Sequence, residues 1–107
     1  MKISIAILTY NKFELAHQLL IDIKRNAKNV HQVVVVDNGS ENPNVKQGLE
    51  FWLSLNVLPL KVYTIHKNIG FISGMNRAVD LCTGDVVVLL SNDTRITTKE
   101  FLGHVED

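Results

Sequence analysis

"VVVLLSNDT", residues 86–94, joins five consecutive apolar residues, Val86 to Leu90, to the oxygen-rich tetrad Ser91, Asn92, Asp93 and Thr94. A short β-branched run bounded by polar turn formers reads as a strand buried on both faces. Strands of that kind belong to parallel sheets, whose faces are covered by crossover helices. The reading therefore requires helical segments to alternate with strands along the rest of the chain.

They do alternate. "KISIAILT" (2–9) is a first strand. From Phe13, apolar residues recur at Ala16, Leu20 and Ile23, the spacing of a helix with one buried face. Lys24, Arg25 and Lys28 fall in or just beyond its last turn, where cations complement the macrodipole. "HQVVVVD" (31–37) is a second strand and "NGSENP" (38–43) a loop. Pro43 suits the first position of a second helix, capped by Asn42 and burying Val45, Leu49, Trp52 and Leu53. "LKVYTI" (60–65) is a third strand, introduced by Pro59. Met75, Ala78, Val79 and Cys82 mark one face of a third helix, with Gly84 as its C-terminal cap. "TTKE" (97–100) is a capping box that opens a fourth. This order predicts an α/β fold: a Rossmann-like, open, mostly parallel sheet with helices on both faces and right-handed crossovers.

Composition narrows the function. The 107 residues suit one domain or part of a larger one, and 46% hydrophobic residues can form a real core. Eleven basic residues balance eleven acidic ones, so no net field draws the chain to nucleic acid or an anionic membrane. Any phosphate must be held locally. The one cysteine, Cys82, excludes an internal disulfide and a cysteine zinc cluster, and fits a reducing, cytoplasmic setting. Its helical spacing makes it a core thiol rather than a nucleophile. The histidines at 17, 31, 66 and 104 lack metal-ligand spacing and read as surface or strand-edge residues. The N-terminus is too short and polar-flanked for a signal peptide, and no apolar run approaches the roughly 20 residues that cross a bilayer.

In an open parallel sheet, ligands bind beyond the carboxyl ends of the strands, near the point where strand order reverses. The unusual residues gather there: Thr9-Tyr10-Asn11, then Asp37-Asn38-Gly39-Ser40, then His66-Lys67-Asn68-Ile69-Gly70, then Ser91-Asn92-Asp93-Thr94. The opposite connections, such as "RNAKNV" and "LCTGD", read as ordinary turns. Each cluster has a plain alternative. Asp37 can fold its own loop through its side chain, or it can accept from a base N–H or ribose hydroxyl. The glycines of "NIGFISGMN" (68–76) can let a backbone approach phosphate, or simply let a helix pack tightly. Asp93 is the residue best able to hold Mg2+ or Mn2+, with Asn92 and Ser91 adding neutral oxygens and a diphosphate completing the shell. Other nucleotide folds fit poorly, because "TYNKFE" has no G-x-G-x-x-G and no P-loop motif is present.

Together "ILTYNK", "VVVVDNGSEN", "HKNIGFISGMNRAV" and "GDVVVLLSNDT" resemble family 2 glycosyltransferases of the GT-A fold, over nearly the whole chain. The resemblance implies that residues 1–107 form the N-terminal, nucleotide-sugar-binding part of such an enzyme. It places Thr9, Tyr10, Asn11 and Asp37 at the base and ribose. Asn68, Gly70, Gly74 and Asn76 line the nucleotide side of the pocket. The family's D-x-D motif maps to Ser91, Asn92 and Asp93; Ser91 replaces its first carboxylate, leaving Asp93 as the metal ligand. The "NDT" ending is similar to a rhamnosyltransferase-like variant that uses a deoxythymidine-diphosphate sugar. The implied partners are a nucleotide-diphosphate sugar and an acceptor glycan, lipid-linked sugar or protein. The general base of an inverting transfer is expected beyond residue 107, so no catalytic residue is assigned. An uncovered sheet edge invites a homo-oligomer, and membrane association, at the inner face, is expected only through other segments or partners. Two other readings share these residues: a nucleotide-binding module without catalysis, and a protein-interaction domain of the same fold.

Overall fold

The computed structural model describes residues 1–27 and 29–91. Seven elements alternate: β1 (Ile3–Thr9), α1 (Phe13–Asn26), β2 (Val30–Asp37), α2 (Pro43–Leu55), β3 (Leu60–Thr64), α3 (Phe71–Asp80) and β4 (Val86–Ser91). The strands form one parallel sheet in the order β3-β2-β1-β4. The chain thus runs outward from β1 through β2 to β3, then crosses back to place β4 on the other side of β1. Strand order reverses between β1 and β4.

Helices cover both faces. On one, Ile3, Ile5, Ile7, Val33 and Val35 pack against Leu19, Leu20 and Ile23 of α1 and Val45, Leu49 and Trp52 of α2. On the other, Ala6, Leu8, Val34 and Val36 meet Ala78 of α3, with Met75, Leu81 and Cys82 at the margin. β1 and β2 are the strands buried on both faces. The second helix begins as the sequence predicts, with Pro43 in its first turn and the Asn42 side chain accepting from the Asn44 N–H at 2.9 Å.

Several expectations change. β4, read as buried on both faces, is an edge among the described strands, and Leu89 is 48% exposed; an apolar run reports length, not position in the sheet. Leu53 of α2 is also exposed, lying one residue round from the buried Val45–Leu49–Trp52 stripe. Gly84 does not cap α3, which ends at Asp80 with Leu81 as its cap; instead the Gly84 N–H donates to Ser4 Oγ. That turn is no ordinary one. Ser4 Oγ in turn donates to Gln32 Oε1 (2.8 Å), which also accepts from the Thr83 N–H, so a buried amide ties the amino ends of β1 and β2 to the turn before β4. His17 is a half-buried residue of α1 with a structural bond: its Nδ1 accepts from Trp52 Nε1 at 2.9 Å and its ring stands 5.5 Å from those of Phe13 and Trp52. The capping box at 97–100 lies outside the described residues.

Candidate functional site

Parallel pairing brings the polar strand ends into line. Thr9 is opposite Asp37, Asp37 opposite Thr64, and Leu8 opposite Ser91. Thr9 and Asp37 are buried (1% and 2% exposed), so the loops that follow them are anchored at their roots.

Asn38 joins those loops. Its backbone N–H donates to the Thr9 carbonyl at 2.9 Å. Its side-chain Oδ1 accepts from the Ile69 N–H (3.1 Å), and its Nδ2 donates to the Gly70 carbonyl (3.1 Å) and to Asn68 Oδ1 (3.3 Å). Asn68 Oδ1 also accepts from the Gly70 N–H at 2.7 Å. One buried amide therefore holds the segment that leads into α3. Gly39 makes the close approach possible: its φ is +77°, and a Cβ there would lie 2.4 Å from the backbone of Lys67 and Asn68. Gly70 takes φ +90° as the N-cap of α3, and Gly74 rests on Leu8 and Asn38.

A second set of bonds ties the segment after β1 to the loop after β2. Asp37 Oδ1 accepts from the Ser40 N–H (3.0 Å), the Asn11 N–H donates to Ser40 Oγ (2.8 Å), and Asn11 Oδ1 accepts from the N–H groups of Glu41 and Asn42 (2.7 and 3.0 Å). Asn11 has φ +58°, a left-handed conformation that asparagine tolerates better than most residues.

Between these loops lies a cleft of about 200 Å3. Leu8, Thr9 and Asn38 form its floor; Tyr10, Lys12, Asn68 and Phe71 form its walls. Tyr10 and Phe71 are 38% and 65% exposed. A larger hollow on the outer face of α1 and α2 (about 420 Å3) has no such convergence of buried polar groups, and convergent polar groups are what mark a ligand site.

The predicted residues divide accordingly. Thr9, Tyr10 and Asn68 line the cleft. Asp37 sits beneath it with Oδ1 spent on Ser40. Asn11 spends its carbonyl on the neighbouring loop, so its described role is to hold that loop in place. Gly70 and Gly74 shape the start of α3, whereas Asn76 is exposed in the second turn and does not line the cleft. Ser91 ends β4 beside Leu8, and Asn92 and Asp93 lie outside the described residues. Sequence reasoning assigned no role to Asn38, Lys12 or Phe71. Lys12 directly follows "TYN" and could have been read as a local anion partner; the bonds of Asn38 reach some thirty residues along the chain and left no local signal. Among the described residues no three His, Cys, Asp or Glu side chains could hold a metal together. Cys82 takes no part in this site: its thiol donates to the Ala78 carbonyl, and burial pushes its pKa up.

Comparison with known proteins gives a consistent result. The profile described as glycosyl transferase family 2 matches residues 4–106. An uncharacterized glycosyltransferase, YwdF, of Bacillus subtilis (strain 168) is 30% identical over 106 residues, covering 99% of this chain and 36% of that protein. The amylovoran biosynthesis glycosyltransferase AmsE of Erwinia amylovora is 29% identical over 92 residues, covering 84% of this chain and 34% of that protein. This chain thus spans about a third of the length of these relatives. The structure of S. aureus TarS 1–349 in complex with UDP-GlcNAc superposes with a TM-score of 0.85 at 29% identity, over 99% of this chain and 30% of that one. The mannosyltransferase PcManGT of Pyrobaculum calidifontis, solved with GDP-Man and Mn2+, shares the fold with a TM-score of 0.85 at 23% identity, over 94% of this chain and 30% of that one.

Proposed function

The chain belongs to glycosyl transferase family 2, and on that premise we propose that it is the nucleotide-sugar-binding part of an inverting GT-A glycosyltransferase. The observation that carries the reading is the cleft at the carboxyl ends of the strands, built by loops that fasten one another and leave Tyr10, Lys12 and Phe71 facing solvent. TarS, which shares this fold, has been solved with UDP and with UDP-GlcNAc.

In this reading Thr9, Tyr10 and Asn11 carry the base, and Asp37, whose Oδ1 accepts from the Ser40 N–H, holds a base N–H or a ribose hydroxyl through Oδ2. Asn68, Gly70 and Gly74 flank the nucleotide, whereas Asn76 stands back from the cleft, and Lys12 adds a cation for the phosphates. By the sequence resemblance, Ser91, Asn92 and Asp93 would supply the oxygens at the diphosphate. A divalent cation, Mg2+ or Mn2+, held by Asp93 would neutralise charge on the leaving diphosphate. The acceptor hydroxyl attacks the anomeric carbon as the bond to the diphosphate breaks, and its proton passes to a base that none of the residues above supplies. The "SNDT" ending supports a rhamnosyltransferase-like donor carried on dTDP. No helix among the described residues is long and apolar enough to cross a membrane.

Calorimetry with UDP, GDP and dTDP, each with and without Mn2+, tests the proposal. Binding of at least one nucleotide, tighter with metal, is the expected result. A folded chain that binds none of the three overturns it and favours a protein-interaction role.

A further inference from the structure

Two aromatic side chains, Tyr10 and Phe71, line the strand-end cleft, and the residue pattern gives a role only to the first. A single exposed apolar side chain is ordinary on a protein surface. Phe71 differs because its root is fixed while its ring stays accessible. The Asn38 side chain holds the two residues before it, accepting from the Ile69 N–H and donating to the Gly70 carbonyl. That carbonyl also accepts from the Gly74 N–H, the bond that opens α3. Tyr10 is rooted in the same way, between the buried Thr9 and Asn11, whose N–H donates to Ser40 Oγ. An exposed ring on ordered backbone loses little freedom when it meets a ligand.

The two residues reach the cleft from opposite faces of the sheet. Tyr10 leads from β1 into α1, which packs on one face, whereas Phe71 begins α3 on the other. The floor between them suits recognition by faces more than by edges. The Asn38 amide is used at both ends, and Asn68 Oδ1 accepts from Asn38 Nδ2 and from the Gly70 N–H. These groups are spent within the protein, so they read a base edge poorly. Every base, however, offers a π-face to an aromatic ring. We propose that Phe71 is a second platform for the nucleobase, which stacks between it and Tyr10.

The inference rests on the nucleotide-binding reading and adds to it a residue outside the set that the resemblance assigns. It carries a consequence for selectivity. Stacking is tolerant of base identity, so UDP, GDP and dTDP all depend on Phe71 where they bind. The adjacent Ile72 supplies an internal control. It is 74% exposed and next in the helix, yet it does not line the cleft.

Calorimetry of the parent and of Phe71→Ala, Phe71→Leu, Phe71→Trp and Ile72→Ala with UDP, GDP and dTDP tests this. Phe71 is 65% exposed, so the variants should fold, and circular dichroism checks that they do. Phe71→Ala should weaken every nucleotide that the parent binds by about five- to a hundredfold. Phe71→Leu, which keeps apolar bulk without a π-face, should lose nearly as much. Phe71→Trp should bind at least as tightly as the parent, and Ile72→Ala should match it. Fluorescence gives a second readout. Nucleotide should quench Phe71→Trp more strongly than the parent, whose single tryptophan is Trp52 in the α1–α2 layer. The proposal falls if Phe71→Ala or Phe71→Leu binds as the parent does, if Ile72→Ala loses as much as Phe71→Ala, or if the new tryptophan is not quenched. In each of those cases the parent still binds nucleotide and the broader reading stands. A parent that binds none of the three overturns both.

Discussion

Replacing Asn38 tests whether one amide holds the candidate site together. The side chain is 2% exposed and makes three hydrogen bonds, one accepted from the Ile69 N–H and two donated to the Gly70 carbonyl and Asn68 Oδ1. Asn38→Ala removes all three and strands a part-buried N–H and carbonyl. At about 0.5–1.5 kcal/mol for each bond, rising where a partner is left unsatisfied, the expected loss is about 2–4 kcal/mol. Against a typical domain stability of about 5–15 kcal/mol, that is measurable by urea denaturation without abolishing the fold. Asn38→Asp is the sharper probe, because it keeps the shape but turns two donated contacts into oxygen facing oxygen. Repulsion and burial would raise the new carboxyl's folded pKa above its unfolded value of about 3.9. A raised pKa favours folding below the unfolded value and loses that support as pH rises through the folded one. The Asp variant should therefore lie nearest its parent around pH 4 and fall behind toward neutrality. Nucleotide affinity should fall in both variants, since Asn68 and Phe71 lose their anchor. An Ala penalty under about 1 kcal/mol, or an Asp penalty flat with pH, would refute the argument.

Four further outcomes follow from the same geometry. Gly39→Ala must adopt φ +77° and meet the Lys67–Asn68 backbone, whereas Gly70→Ala at φ +90° meets nothing within 4 Å; denaturation should show a loss of about 2–5 kcal/mol for the first and about 1–2 for the second, and the reverse order would be wrong for this packing. Burial raises the Cys82 thiol above its ordinary 9.0, with a contact to Ser4 opposing; folding thus favours the thiol form, and the parent should lose more stability than Cys82→Ala as pH climbs past about 9. Asp37→Ala should weaken nucleotide binding equally in Mn2+ and in EDTA, and an effect on melting alone would leave Asp37 as a loop former. Asp93→Ala should weaken it about ten- to a hundredfold only with metal present, and equal affinities in both buffers would remove the metal from Asp93.

The alternation of elements was legible because two periodicities, two and near 3.6, are local properties of a chain. The line of polar residues at one sheet edge followed from parallel topology without further assumption. What stayed hidden was relational. "VVVLL" looks the same in a central strand as at an edge, so β4 was read as buried on both faces, whereas among the described strands it is an edge and β1, with its serine, and β2 are the ones covered on both faces. Leu53 is apolar and helical, yet only its angle round α2 decides that it faces outward. His17 became structural through a tryptophan 35 residues away. Asn38 was visible as part of a turn, but its function as a clasp depends on partners 30 to 32 positions distant.

Both ends of the sheet carry polar clusters, and what separates a site from a joint is where their hydrogen bonds go. At the amino end, Ser4, Gln32, Thr83 and Gly84 satisfy one another, with Ser4 and Gln32 0% and 4% exposed. Those groups are consumed in fastening strands to a turn. At the carboxyl end, Asn11 Oδ1, Asp37 Oδ1 and the Asn38 amide are likewise used, but they fasten loops whose outward residues, Tyr10, Lys12 and Phe71, face solvent. The helices add direction. The Asn42 side chain caps α2, whereas α1 begins at Lys12 and α3 at Gly70 with no side-chain cap. These uncapped helices are the two whose N-terminal ends reach the cleft, through the Lys12 N-cap of α1 and Phe71, the first residue of α3. Their first-turn N–H groups and positive dipole ends therefore lie beside it, next to a lysine. Lys12 and these two helix ends give the cleft a local positive character although the chain carries no net charge. That character supports a diphosphate over a neutral ligand.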